Sequence, residues 1–121
     1  MNLYDFRKQI HKIYNDSVYG NTKGDIYSEL SEIRLDNDCI KSVSYDQMNK
    51  TFTCEMAEGT STDELDNLLS QIREVIKNFI KKNLSCLSTE MEDFLENTYL
   101  YFDNYIIKNK ENELSSIIIQ L

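Results

Sequence analysis

Between residues 65 and 80 the apolar positions Leu65, Leu68, Leu69, Ile72, Val75, Ile76, Phe79 and Ile80 recur at steps of three and four. That spacing places them on one face of a long helix. Ser61 and Glu64 precede it in the spacing of a capping box. Asp63 and Glu64 suit the positive end of the helix dipole, and Lys77, Lys81 and Lys82 the negative end. The same period runs through Leu3, Phe6, Ile10, Ile13 and Tyr14 behind Asn2 as a cap, predicting a first helix to about residue 15. A third begins after Asn83 and a short link through Cys86. Ser88 or Thr89 caps it, and Met91, Phe94, Leu95, Phe102, Tyr105 and Ile106 form its apolar side as far as Lys108.

Elsewhere the period drops to two. Cys39, Val43 and Tyr45 alternate with polar residues, as do Phe52, Cys54 and Met56, and the polar stretch 46–50 between them predicts a β-hairpin closed by Gly59. Gly20 and Gly24 enclose Asn21, Thr22 and Lys23 in a turn. The segment 26–35 fits either period and is read as a strand running into a turn at Asp36, Asn37 and Asp38. Residues 111–121 stay open. Leu114, Ile117, Ile118 and Leu121 have helical spacing, whereas three successive β-branched residues from Ile117 suit a buried strand. The pattern predicts an α+β fold, with a small antiparallel sheet (a hairpin or three-stranded meander) packed against two to three α-helices. With no internal repeat and no Gly/Ser linker, residues 1–121 are expected to form a single domain.

Composition adds a bias of charge. The 121 residues are 40% hydrophobic and 28% charged, enough to bury one core. Asp and Glu number 21 against 13 Lys and Arg, for a formal charge of -8. Such a surface repels nucleic acid and anionic membrane and attracts basic protein surfaces. Neither a secretory signal nor a run of roughly 20 apolar residues is seen, so a soluble cytoplasmic protein is expected. Three cysteines, Cys39, Cys54 and Cys86, are odd in number and widely spaced, as for free thiols in a reducing compartment. Acceptor triplets at Asn15, Asn49 and Asn83 would meet no glycosylation machinery there. Abundant Asn, Ile, Lys and Tyr also match the codon bias of an AT-rich bacterial or phage genome.

Catalytic and metal-binding signals are sparse. The single His, His11, lies in the first helix without a partner motif, and reads as a structural residue. No Cys-x-x-Cys or His-x-x-x-His spacing points to zinc. A calcium loop begun at Asp36 would put Ile40 and Lys41 where an oxygen ligand and Gly are required. Phosphate-cradling glycine loops are missing as well. No enzyme activity, metal or cofactor is predicted.

What remains is the placement of the acids. From Thr51 to Ile72 the chain holds Glu55, Glu58, Asp63, Glu64 and Asp66 and no Lys or Arg. From Asn83 to Ile107 it holds Glu90, Glu92, Asp93, Glu96 and Asp103, again without Lys or Arg, interleaved with Tyr99, Tyr101 and Tyr105. Carboxylates spaced like backbone phosphates, with aromatic anchors among them, can occupy a groove that normally holds nucleic acid. The candidate partner-binding residues are therefore Glu90, Glu92, Asp93, Glu96, Tyr99, Tyr101, Asp103, Glu55, Glu58 and Asp63. In size, acidity and lack of catalytic motifs the chain resembles anti-CRISPR proteins and toxin-immunity proteins. That resemblance implies an inhibitor covering the basic surface of a nucleic-acid-handling enzyme or toxin, without touching nucleic acid or membrane. The alternative is an interaction or homodimerisation module using the apolar faces of 65–80 and 114–121. A small-molecule pocket built from Tyr27, Tyr45, Tyr99 or Tyr105 is a third possibility.

Overall fold

In a computed structural model of the chain, residues 2–84, 88–97 and 104–121 are described. They form four α-helices and one four-stranded antiparallel sheet. The elements follow the order α1 (Leu3–Val18), α2 (Ile26–Ser31), β1 (Ile40–Asp46), β2 (Thr51–Met56), α3 (Leu65–Asn83), α4 (Thr89–Asn97), β3 (Asn104–Lys110) and β4 (Glu113–Gln120). Short 3-10 turns at Glu32–Asp36 and Thr62–Glu64 extend α2 and lead into α3. The predicted α+β class is the one observed. The sheet is larger than a hairpin or a three-stranded meander.

Helix α1 starts where Asn2 Oδ1 accepts the Asp5 N–H at 2.9 Å. It buries Phe6, Ile10, Ile13 and Tyr14 on its inner face. Helix α3 buries Leu68, Leu69, Ile72, Ile76, Phe79 and Ile80, each removal from water stabilising the fold by about 1.5–3 kcal/mol at most. Ahead of it, Ser61 Oγ accepts the Asp63 N–H at 3.1 Å. This is one arm of the expected capping box, and it opens a 3-10 turn instead of the α-helix itself.

Two expectations are corrected. Residues 26–35 form no strand: Asp25 caps a short helix by accepting the Tyr27 N–H at 3.0 Å. That helix buries Ile26, Tyr27 and Leu30, and the 3-10 turn after it buries Ile33. The third predicted helix does not reach Lys108, because α4 ends at Asn97 and residues 104–110 are strand β3. Sheet pairing replaces helical spacing there: Tyr105 lies opposite Ile119 and Ile107 opposite Ile117 on β4, and of these two β3 residues only Ile107 is packed against the core. Phe102 and the Cys86 link lie outside the described residues.

The sheet order is β1-β2-β4-β3. The C-terminal segment left open in the sequence is thus a central strand, consistent with its row of β-branched residues. Phe52 and Cys54 on β2 lie opposite Ile119 and Ile117, and all four are fully buried. They join the helices in one hydrophobic cluster that also contains Ile72, Ile76 and Phe79. Helix α4 rests on α1 through stacked Phe6 and Phe94 rings, with centroids 5.1 Å apart. At the far end of α3, Asn83 Oδ1 accepts the Lys23 N–H at 2.6 Å and its amide donates to the Lys23 carbonyl at 3.3 Å. The Gly20–Gly24 loop is pinned there.

Candidate protein-binding surface

The first acidic block lies at one end of the sheet. Strand β2 ends at Met56, and the Ala57 N–H donates to the Cys39 carbonyl at 2.7 Å as the chain turns. Thr60 holds that turn: its hydroxyl donates to the Ala57 carbonyl at 2.7 Å, and its own carbonyl accepts the Leu114 N–H at 2.8 Å. Gly59, with φ at +81°, takes the left-handed conformation the turn requires. Ser61 then bridges Glu113 at the start of β4.

These bonds bring separate stretches of sequence together. Glu58, Asp63 and Glu64 come from the β2–α3 connection and Asp66 from the first turn of α3, Glu111 from the β3–β4 turn and Glu113 from the start of β4, and Asp36 and Asp38 from the segment leading into β1. That segment is tied to α3 by the Asn37 amide, which donates to Gln71 Oε1 at 2.5 Å. Glu64 and Asp38 both lie close enough to Cys39 for their charges to add to burial in raising its thiol pKa. Glu55 sits on the open sheet face at the same end, opposite Ser42 and Ser116. Apart from half-buried Glu113, all of these acids are exposed. Among the described residues none of their carboxylates is held in an ion pair. Bases on the adjoining elements are Arg34, Lys41, Lys108 and Lys110, so acid prevails.

The second acidic block has a different setting. Glu96 on α4 receives Lys77 Nζ and Lys81 Nζ, each at 3.2 Å. The Lys77 hydrogen bond first, then that of Lys81, holds its carboxyl below the usual range. This carboxylate is already matched within the chain. Glu90, Glu92 and Asp93 are exposed on the same helix, and Glu90 and Asp93 line a depression of ≈310 Å³ with Phe94 and Asn97. Tyr99, Tyr101 and Asp103 lie outside the described residues.

Helix α3 separates the two settings. Its first turn carries Asp66 beside the acid-rich end, and its last turn carries Lys81 and Lys82. Nineteen residues at 1.5 Å each make the helix about 28 Å long. Lys82 is engaged with Glu29 at 2.6 Å. Along α3 itself the charge runs from acid in the first turn to base in the last.

Glu55, Glu58 and Asp63 from the sequence candidates are therefore gathered at one end, while the α4 candidates stand apart near lysines. Asp36, Asp38, Glu64, Asp66, Glu111 and Glu113 complete the acid-rich end without having been candidates. For four of them the signals were the Asp-Asn-Asp and Glu-Asn-Glu triplets at 36–38 and 111–113.

The described residues contain no group of three or more His, Cys, Asp or Glu placed to hold a metal ion. The acids form a spread surface, not a cage. His11 packs edge-on to Tyr14, with ring centroids 6.1 Å apart. Tyr27 is buried and stacks on Tyr45 at 5.1 Å; burial first, then the Asp25 and Asp46 charges, pushes its phenol up to about 12. No described helix is long and apolar enough to cross a membrane. Comparison with protein-family models, with curated proteins and with solved structures finds no match to this chain.

Proposed function

We propose that this chain is a non-catalytic binding protein that covers a basic surface of a nucleic-acid-handling enzyme or toxin and thereby inhibits it. The acid-rich end of the sheet is the contact. One observation carries the proposal: carboxylates from the segment before β1, the β2–α3 connection and the β3–β4 turn converge there without ion pairs among the described residues. Exposed uncompensated charge steers association more than it adds affinity, because water screens each pair in the complex. Tyr and Phe anchors would then have to supply affinity.

The alternative based on the apolar faces of 65–80 and 114–121 has less support. Those faces, including Ile72, Phe79, Leu114 and Ile117, are consumed in the core. Capture of the partner from lysate on immobilised chain, repeated with Glu58, Asp63, Glu64 and Glu113 reversed to Lys, tests the proposal. Retention by the wild type that falls with salt and is lost on reversal supports it; retention indifferent to both removes it.

A further inference from the structure

Strand β1 forms the edge of the sheet on the side away from β3. Among the described residues it pairs only with β2, and no backbone group of residues 41–46 bonds outside that ladder. Val43 is half-buried in this run and the other five residues are exposed. A bulge at Lys41 breaks the register, so residues 42–46 are the regular part, roughly 17 Å long at about 3.4 Å per residue. Alternate residues of such a strand turn their N–H and C=O groups outward, where an extended chain can pair with them.

Tyr45 adds an aromatic surface near the end of the run. Its ring stacks on buried Tyr27 at 5.1 Å and is itself 44% exposed. Exposed Asp46 and half-buried Asp25 stand near that pair, close enough for both charges to act on the Tyr27 phenol. Donors within the chain fix both carboxylates: Asp46 accepts the Met48 and Asn49 N–H groups, and Asp25 accepts the Tyr27 N–H and the Ser28 hydroxyl. Among the described residues neither is held in an ion pair, not even with Lys23 or Lys50, the nearest bases in sequence. An exposed aromatic ring beside two fixed carboxylates suits a guanidinium group.

We propose that β1 takes up an extended, arginine-bearing segment of the partner as an added antiparallel strand, with the guanidinium on Tyr45 beside Asp46 and Asp25. The inference rests on the reading of that partner as a basic protein. Charge sets the register. Lys41, the one base on β1, meets the far end of the segment, where a residue without positive charge fits. A second copy is the poorer occupant, because its β1 carries no arginine and its own bulge at Lys41 interrupts the pairing. Main-chain bonds along the edge supply affinity that exposed carboxylates alone do not.

The probe is a blocked hexapeptide, Arg-Thr-Val-Thr-Val-Thr, titrated into the full chain while its backbone amides are followed by NMR. Amides of residues 41–46 are expected to shift, and those facing outward to exchange more slowly. Two N-methylated peptides, methylated at odd or at even residues, are expected to differ. One keeps the parent affinity, and the other, blocked on the side that faces β1, loses at least about tenfold. Citrulline in place of Arg keeps the shape without the charge, and is expected to weaken binding about 2- to 5-fold. Equal affinity of the two N-methylated peptides, or no shift in β1 at millimolar peptide, overturns the proposal. So does slowed exchange of the same amides without peptide that grows with chain concentration, which assigns the edge to a second copy. Partner capture that is lost on reversal of Glu58, Asp63, Glu64 and Glu113, while the peptide leaves β1 unmoved, removes strand addition alone and leaves the proposed function standing.

Discussion

Ser61 and Glu113, fifty-two positions apart in sequence (113 minus 61), face each other in an isolated antiparallel bridge. Through that bridge the β2–α3 connection and the β3–β4 turn become neighbours, and two groups of acids that are unrelated in sequence share one end of the sheet. Thr60 fastens the junction from inside. It is only 7% exposed, and its hydroxyl reaches the Ala57 carbonyl at 2.7 Å.

Thr60→Val keeps the shape of the side chain and removes that hydroxyl. A buried hydrogen bond of this kind contributes about 1 kcal/mol. Urea denaturation is expected to report a loss of that size, and hydrogen exchange should show the amide of Leu114 less protected. Unchanged protection at Leu114 would mean that the junction is held by other contacts.

Ile72 is fully buried at the middle of α3. Ile72→Ala removes methyl groups from the shared core of helices and sheet, and leaves a cavity that rigid neighbours fill only partly. A loss of about 2–5 kcal/mol is expected. Asp66→Asn, on the exposed side of the first turn, should change stability by less than about 1 kcal/mol. Equal effects of the two variants in a denaturant titration would contradict the assignment of the core face.

Acid should weaken the fold in part through Glu96 and Asp46. Glu96 is lowered by the Lys77 hydrogen bond and then by that of Lys81. Asp46 is lowered chiefly by the Asn49 N–H, then by the Asn49 side chain, with a further bond from Met48. A carboxyl whose pKa is lower in the folded than in the unfolded chain contributes stability that is fully present above the unfolded value, about 4. That contribution is lost as pH falls through the folded value. Melting temperature measured between pH 7 and pH 3 should therefore fall less steeply for Glu96→Gln and for Asp46→Asn than for the wild type.

Cys54 is fully buried between strands, and burial, with smaller contributions from Cys39 and Glu55, pushes its thiol up to about 12. At pH 8 the thiolate fraction is then on the order of 10⁻⁴. In a Cys86→Ser chain, a thiol reagent should modify half-buried Cys39 well before Cys54, and Cys54 should react only on unfolding. Rapid native labelling of Cys54 would show that the β2 core face opens.

The elements with an unbroken period were legible in the sequence, and the mixed ones were not. Helices α1 and α3 and the first hairpin follow from Phe6 to Tyr14, Leu65 to Ile80 and Phe52 to Met56, where one spacing persists long enough to exclude the other. Helix α2 was missed because it lasts only six residues before tightening into a 3-10 turn, which shifts the angular spacing of Leu30, Ile33 and Leu35.

Strand β3 was missed for another reason. Phe102, Tyr105 and Ile106 continue the helical spacing of Met91, Phe94 and Leu95, and no Gly marks the later turn. In the fold, Glu111 and Asn112 take φ of 41° and 67°, the left-handed pair of a two-residue hairpin turn. Asn accepts this conformation readily and Glu does not, so the turn carries a weak sequence signal. Without that turn, Glu111 and Glu113 could not be placed beside Asp63. The acid blocks were legible as composition, but their compensation was not, because Lys77 and Lys81 reach Glu96 only through the packing of α4.

The most direct test compares two sets of charge reversals in their association with the captured partner. Glu58, Asp63, Glu64 and Glu113 reversed to Lys should lower the association rate at least about tenfold at low salt, with the difference shrinking as salt is raised. Glu92 and Asp93 reversed to Lys should lower it less than about threefold, since that helix already lies against lysines. A larger loss from the α4 pair than from the sheet-end set would contradict the placement of the binding surface at the acid-rich end.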